Sequence, residues 1–300
     1  MTRNVPASIH QQLLNRAKAE SRPFNEMLQY FALERFLYRL GRSAYRQRFV
    51  LKGALMFAIW RAPFSRPTRD VDLLGYLDNS VESVLSAIQA ICAELTPDDG
   101  LHFDTENAIG ESIVEAAKYQ GVRVRFIAYL GTARIPMQID IGFGDPLVPG
   151  PTLVQLPTIL NLPPPELLGY SRESAIAEKL HAMVYRGAIN SRMKDFYDVW
   201  LLSSQFEFRG PTLADAVRST FRQRHTAMPE APVAFSDKFS EDPDKQAQWI
   251  AFLLRTHIQD APKTLQQTVR GIAAFLGPVM DALSNERDFD HDWFAGGPWL

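Results

Sequence analysis

Apolar residues recur at helical spacing from the start of the chain. After Pro6, the positions Ile9, Leu13 and Ala17 share one face, and in FNEMLQYFALERFLYRLG the positions Phe24, Leu28, Phe31, Phe36 and Leu40 do so before Gly41. The pattern predicts two opening helices. QRFVLKG then reads as a short strand, and Gly53 separates it from ALMFAIW, a brief apolar segment that reads as a helix. RDVDLLGY reads as a second strand. Asn79 with Glu82 makes a capping-box-like start to a helix striped by Val81, Val84, Leu85, Ile88, Ile91 and Leu95, which PDDG breaks. VRVRFIAYL alternates from Val122 to Arg125, and IPMQIDIGF alternates across Met137, Ile139 and Ile141, giving two further strands. The expected architecture is α+β, with an antiparallel or mixed sheet and flanking helices.

Between Pro146 and Pro165 lie seven prolines, which no helix or central strand tolerates, so this segment is expected to cross from one lobe to the next. Beyond it the pattern is helical, through ESAIAEKLHAMVYRG, KDFYDVWLLSSQ, TLADAVRSTFRQRH, KQAQWIAFLLRTHI and TLQQTVRGIAAFLGPVMDAL. SDKFSEDPDK and NERDFDHD read as solvated loop or tail. The expected organisation is N-terminal helices over 1–48 packing on a core over 49–148, a Pro-rich crossover over 149–168, and a helical C-terminal lobe over 169–300.

Composition narrows the function classes. A chain of 300 residues, 46% hydrophobic and 22% charged with formal net charge -2, fits a globular protein rather than a disordered one. No apolar run reaches membrane-spanning length, and the first twenty residues hold no apolar secretory core. Cys92 is the single cysteine, which rules out an internal disulfide and makes the cytoplasm the expected address. It falls on an apolar helix stripe, the place of a small buried hydrophobe rather than a reactive thiol. The six histidines are scattered without metal-ligand spacing, so a histidine-bound zinc site has no pattern behind it.

The chemistry concentrates in PTRDVDLLG. Side chains alternate along a strand, so Asp70 and Asp72 point one way while Val71 and Leu73 face the opposite layer. Two enclosed carboxylates repel unless a cation sits between them, and oxygen donors of this kind suit Mg2+ or Mn2+. The competing reading is an exposed edge strand with two solvated acids. Asp140, in MQIDIGF, shares the polar face with Gln138 and offers a third carboxylate from a second strand. Three acids from adjacent strands can hold two divalent ions, the arrangement used for in-line phosphoryl or nucleotidyl transfer. Upstream, Gly53 stands where strand turns to helix, open to phosphate approach, and Lys52 beside it can add charge.

FVLKGALMF, RPTRDVDLLG, QIDIGFGD, AIAEKLHAMV and NSRMKDFYDVW, in this order and with the opening ALERFLYRLGRS, resemble the nucleotidyltransferase toxins of the AbiEii/AbiGii type, which are related to the MenT toxins. The likeness runs over nearly the whole chain. Ala54 stands where the wider superfamily carries Ser or Gly, and fifteen residues separate it from Asp70, so a serine hydroxyl is missing from the phosphate loop. The resemblance implies a nucleotidyltransferase-type core followed by a helical lobe. It makes Asp70, Asp72 and Asp140 the metal-binding carboxylates, Gly53 the phosphate-loop glycine, and Thr68 and Arg69 its flanking residues. Lys179 matches the lysine of E-K-L-x-A, and Lys194, Asp195 and Asp198 fall in K-D-x-x-D. Independently, Lys179 shares a helix face with Ile176, Leu180 and Met183, which aims its ammonium past a buried stem; a snorkelling surface lysine is the alternative. Asp195 and Asp198 are i, i+3 neighbours beside Val199 and Leu202, and the alternative for Asp198 is a helix-start acid complementing the dipole.

From Arg35 through Arg69 there are nine basic residues and no acid. Such a run is commonly a solvated face, yet it leads to the acids and would attract a triphosphate or an RNA backbone, with Tyr38, Tyr45 and Phe49 available to stack on bases. The expected activity is Mg2+-dependent transfer of a nucleoside monophosphate from an NTP to an acceptor, with pyrophosphate released. The resemblance points to tRNA 3′ ends, hence a block on aminoacylation and translation, and to a cognate antitoxin of the AbiEi type. Transfer to a protein or small molecule, a two-metal nuclease, and a noncatalytic RNA- or nucleotide-binding role are the alternatives.

Overall fold

Asn4 starts the first helix: its side-chain oxygen accepts the backbone N–H of Ala7, Pro6 sits in the first turn, and α1 (Val5–Ala19) ends with Arg16 and Lys18 beside its C-terminal carbonyls. The protein is seen in a computed structural model that describes residues 4–61, 68–115, 119–256, 258 and 260–300. These form two units, the first from the described residues of 4–61, 68–144 and 152–169, the second from those of 145–151 and 170–300.

In the first unit, α2 (Phe24–Arg42) buries Met27, Phe31, Leu33, Phe36 and Leu40. Its close seat on the sheet depends on Gly41, where a Cβ would lie 2.2 Å from the carbonyl oxygen of Glu166. The strands are β1 (Phe49–Lys52), β2 (Val71–Gly75), β3 (Leu101–Glu115), β4 (Tyr119–Leu130), β5 (Ala133–Phe143), β6 (Thr152–Gln155) and β7 (Glu166–Gly169), with α3 (Leu55–Ile59) after β1 and α4 (Val81–Cys92) after β2. They form one mixed sheet in the order β3-β4-β5-β2-β1-β7-β6. The pairs β2/β5 and β1/β7 are parallel and the others antiparallel.

Three details correct the sequence reading. The cap of α4 is Ser80, whose hydroxyl accepts the N–H of Ser83, rather than Asn79. Leu95 lies beyond that helix and is 90% exposed, so it is no part of the apolar stripe. The Pro-rich stretch carries β6 and β7, because the prolines flank both strands and leave their ladder N–H groups intact. Cys92 is half-buried, and burial pushes its thiol up to about 12, as expected of an inert cysteine.

The second unit is helical. Ser171 caps α5 (Arg172–Arg186) by accepting the N–H of Ser174, and Gly187 ends it. It is followed by α6 (Met193–Gln205), β8 (Phe208–Arg209), α7 (Gly210–Gln223), α8 (Asp237–Ser240), α9 (Pro243–Thr256), α10 (Leu265–Ser284) and β9 (Asp292–Trp293). SDKFSEDPDK, read as loop, thus contains a short helix. The acidic stretch NERDFDHD is exposed as expected, except at Phe289, and the chain at its end is anchored: β9 pairs with β8, and Trp293 and Trp299 lie against Phe275 with centroids 4.9 and 5.6 Å away. Hydrophobic burial of the indoles holds this end of the chain while the acids before it keep their water.

A buried polar chain also lies in this unit. Arg224 donates to Asp145 at 2.7 Å and to Nδ1 of His181 at 3.2 Å, so Nε2 of His181 carries the proton that it donates to Thr226 at 2.9 Å. Burial, with the Arg224 charge, pushes His181 down to about 4. No helix among the described residues is long and apolar enough to cross a membrane.

Candidate active site

Strand register builds the site. Antiparallel β1 and β2 set Lys52 opposite Asp72, parallel β2 and β5 set Asp72 beside Asp140, and antiparallel β4 and β5 set Arg123 opposite Asp140. Directly opposed residues project to the same face, so Lys52, Asp72, Asp140 and Arg123 form one row across four strands. Asp70, one residue before β2, joins the acids. One carboxylate oxygen from each of Asp70, Asp72 and Asp140 lies within 4.8 Å of the others. Thr68 holds Asp70 by donating its hydroxyl at 2.6 Å, and Arg69 is exposed, its carbonyl accepting from Gln29 at 3.4 Å.

Lys52 ends β1 and Gly53 follows with φ +73, the left-handed region that glycine enters freely. A Cβ on Gly53 would fall 2.0 Å from Oδ2 of Asp72. The missing side chain is therefore what lets the loop lie against the acids. Ala54 then begins the short helix α3 without a side-chain cap.

Asp140 is more occupied than the sequence suggests. Arg123 grips it with both arms of the fork, Nε to Oδ1 and Nη2 to Oδ2, each at 2.7 Å, and Gln138 donates to Oδ2 at 3.2 Å. The Asp140 side chain is only 12% exposed. These bonds hold the Arg123 guanidinium above its ordinary value. Arg123 and Gln138 are functional candidates that sequence reading missed. The signal was present in Gly131 and Thr132, a two-residue turn between β4 and β5 whose register carries Arg123 to Asp140.

In the second unit, α5 and α6 bring Lys179 to Asp195 and Asp198. The ammonium donates to Asp195 Oδ1 at 3.1 Å and Asp198 Oδ2 at 2.7 Å, and Arg192 pairs with Asp195 at 2.8 Å. Both acids are buried, while Lys194 is exposed on the same helix. The placement of Asp198 against Lys179 sets aside a purely dipole-complementing role for that acid.

The basic run divides. Arg35 is buried against Glu34 at 2.7 Å and Arg39 is buried in a bidentate pair with Asp99, so these two belong to the core instead of an attracting surface. Tyr38 is buried beneath the Arg35 guanidinium, 4.7 Å from its ring centre, and Phe49 is fully buried, which removes both as base-stacking platforms. Tyr45 is half-buried beside Phe49. Arg42, Arg46, Arg48, Arg61 and Arg69 are exposed, and Arg66 lies outside the described residues.

The donor set fits a hard divalent cation: carboxylate oxygens only, converging on one point, with no imidazole or thiolate among them. No curated protein matches the chain. Two solved structures are similar at low identity. JHP933 from Helicobacter pylori is 16% identical, with 84% of this chain and 89% of that chain covered and a TM-score of 0.42. A second H. pylori chain, described as a candidate nucleotidyltransferase, is also 16% identical, with 84% and 92% covered and the same TM-score. The sequence model of the AbiEii family, described as a nucleotidyl transferase toxin of a type IV toxin–antitoxin system, matches residues 35–271, and the chain belongs to that family of nucleotidyltransferases.

Proposed function

We propose that the chain is the toxin of its pair and transfers a nucleoside monophosphate from an NTP to an RNA acceptor, the 3′ end of tRNA, with release of pyrophosphate. Modified at its terminal hydroxyl, the tRNA cannot be aminoacylated and translation stops in the cytoplasm. An AbiEi-type antitoxin restrains it. The observation that supports this most is the meeting of Asp70, Asp72 and Asp140 within 4.8 Å, beside a left-handed glycine whose absent side chain leaves room at Asp72.

Asp70 and Asp72, with Asp140, would hold Mg2+ or Mn2+. Such an ion, when bound, lowers the cost of charge on the transferring phosphate and on the attacking oxygen. The chain's own groups do the rest. Gly53 leaves backbone N–H groups open to phosphate oxygens, with Lys52 contributing charge. Thr68 fixes the orientation of Asp70. The family resemblance assigns Lys179 to the triphosphate and Lys194 to nucleotide contact, with Asp195 and Asp198 positioning the lysine through the bonds described. Arg69, exposed beside Asp70, offers a further phosphate contact.

The test is incubation of purified protein with total tRNA, Mg2+ and each alpha-labelled NTP in turn, beside Asp70→Ala. Label on tRNA from one or two nucleotides, absent in the variant, is the expected result. Label on protein overturns the RNA acceptor, RNA shortening makes the enzyme a nuclease, and no label on any macromolecule overturns the transfer to RNA.

A further inference from the structure

Past the three acids the sheet continues through β4 and β3, and its polar face stays accessible there. The register lines up Gln138 on β5, Arg125 on β4 and Ile109 on β3 as direct partners. Gln138 and Arg125 stand two residues from Asp140 and Arg123, so this second row lies beside the acid row on the same face. Ile109 is 66% exposed and the Arg125 side chain 47% exposed. The opposite face of β3 is covered, since a Cβ on Gly110 would fall 2.6 Å from Val81 of α4.

The guanidinium of Arg125 is held at two points. Nη1 pairs with Oε1 of Glu111 at 2.7 Å, and Nε donates to Oε1 of Gln138 at 3.3 Å. Such N–H bonds run in the guanidinium plane, so they fix the plane and leave its faces for stacking, the contact by which arginine receives a nucleobase. A lone exposed isoleucine means little on a protein surface. Directly opposite a guanidinium fixed in this way, Ile109 extends it into a shelf. With strands about 5 Å apart, Arg125 stands about 5 Å and Ile109 about 10 Å from β5.

Reaction geometry decides what the shelf receives. In an in-line transfer the attacking oxygen and the leaving pyrophosphate lie on opposite sides of the transferred phosphorus. Lys52 and Gly53, the groups assigned to the triphosphate, lie at the end of β1 on one side of the acids, and the strand order puts the shelf on the other side. The attacking hydroxyl therefore comes from the side of β4 and β3.

We propose that Ile109 and Arg125, with Gln138, form the acceptor seat: the terminal nucleoside of the RNA packs its base on Ile109 and on the guanidinium face of Arg125, which brings its ribose hydroxyl to the acids. The seat rests on the RNA-acceptor reading above and adds where the RNA end is held. Stacking and apolar contact take any base, so it selects an unpaired RNA end rather than a base sequence.

The experiment is steady-state transfer to total tRNA from the alpha-labelled NTP that wild type uses, with KM measured separately for tRNA and for the NTP. Wild type, Ile109→Ser, Ile109→Phe and Arg125→Ala are compared, each checked for folding by circular dichroism. A stacked base is worth about tenfold in affinity, so Ile109→Ser and Arg125→Ala should each raise KM for tRNA about tenfold. Ile109→Phe, which offers a ring to stack on, should lower it, with KM for the NTP within twofold of wild type throughout. Ile109→Ser is the cleaner variant, because Arg125→Ala also frees Gln138, whose amide bonds Asp140. A rise in KM for the NTP with KM for tRNA unchanged would make the shelf a seat for the incoming nucleotide and overturn the proposal. So would an Ile109→Ser protein in which neither KM moves. A wild type that labels no RNA would instead remove the RNA-acceptor reading, and the seat would fall with it.

Discussion

Gly53 and Asp72 touch so closely that a single methyl group on the glycine would fall 2.0 Å from the carboxylate oxygen. The pair joins the end of β1 to the acid row of β2, and the φ of +73 at Gly53 makes any side chain there costly twice over. Gly53→Ala should lose about 1–2 kcal/mol of stability from the left-handed backbone alone. Displacement of Asp72 by about 1 Å should lower transfer by roughly 100-fold. Labelled-NTP transfer at matched folded fraction checks this, and activity within twofold of wild type would contradict the role given to the contact.

Lys179 is the countercharge of two buried acids. Lys179→Met leaves Asp195 with Arg192 but strips Asp198, which is fully buried, of the ammonium at 2.7 Å. Removing one partner of a buried ion pair costs about 3–5 kcal/mol, and urea unfolding should report a loss of that size. Adding Asp198→Asn to Lys179→Met should recover a large part of it. If the double variant is no more stable than the single one, the pairing is not what holds these helices.

The His181 chain makes stability depend on pH. The imidazole is held neutral, at about 4 against an ordinary value of 6.5, so the unfolded chain takes up a proton first as pH falls. Its stabilising contribution is complete above about pH 6.5 and fades between there and pH 4, by about 3 kcal/mol in all. Glu34 works in the opposite sense: burial raises it from 4.5 to about 7, so its folded form favours the proton, and stability is lost as pH rises through that range. Comparing wild type with His181→Gln at each pH cancels the Glu34 contribution. The stability difference should shrink on acidification from pH 7 to pH 4; a difference independent of pH would show that His181 is not titrating as described.

Trp293 tests the reading of the C-terminal stretch. Its indole donates to the carbonyl of Ser203 at 2.7 Å and packs on Phe275, and only 5% of the residue is exposed. Trp293→Ala should cost about 3–5 kcal/mol in a thermal or urea melt. A solvated tail would give a change within about 0.5 kcal/mol.

Most helices, the four strands that carry the row from Lys52 to Arg123, and the three acids were legible in the sequence, because their apolar periods are strong and the acids interrupt them at fixed parity. What escaped had weak or mixed period. β3 contains DTENAIGES, its register shifts between Asp104 and Ile109, and it lies at a sheet edge, where one neighbour suffices to order a polar strand. β6 and β7 were hidden by flanking prolines. The fate of Arg39 and Arg123 could not be read from local charge, since the acids that pair with them are distant in sequence, Asp99 sixty residues away and Asp140 across a hairpin. Arg35 pairs with Glu34, the residue before it, at a spacing that does not face side chains on a helix. Positive residues in a row along the chain thus became two internal struts and a set of exposed arginines.

Among the described residues the backbone passes from the first unit to the second after Gly144, returns at Thr152, and leaves again after Gly169. No single cut in the gene therefore separates the two. A fragment ending at residue 144 would encode every carboxylate of the acid row yet leave β1 with a bare edge where β7 belongs. A fragment beginning at residue 170 would carry His181 and Arg224 but not Asp145, the acid to which Arg224 is tied. Each half of the protein is completed by a piece of chain that sequence order assigns to the other.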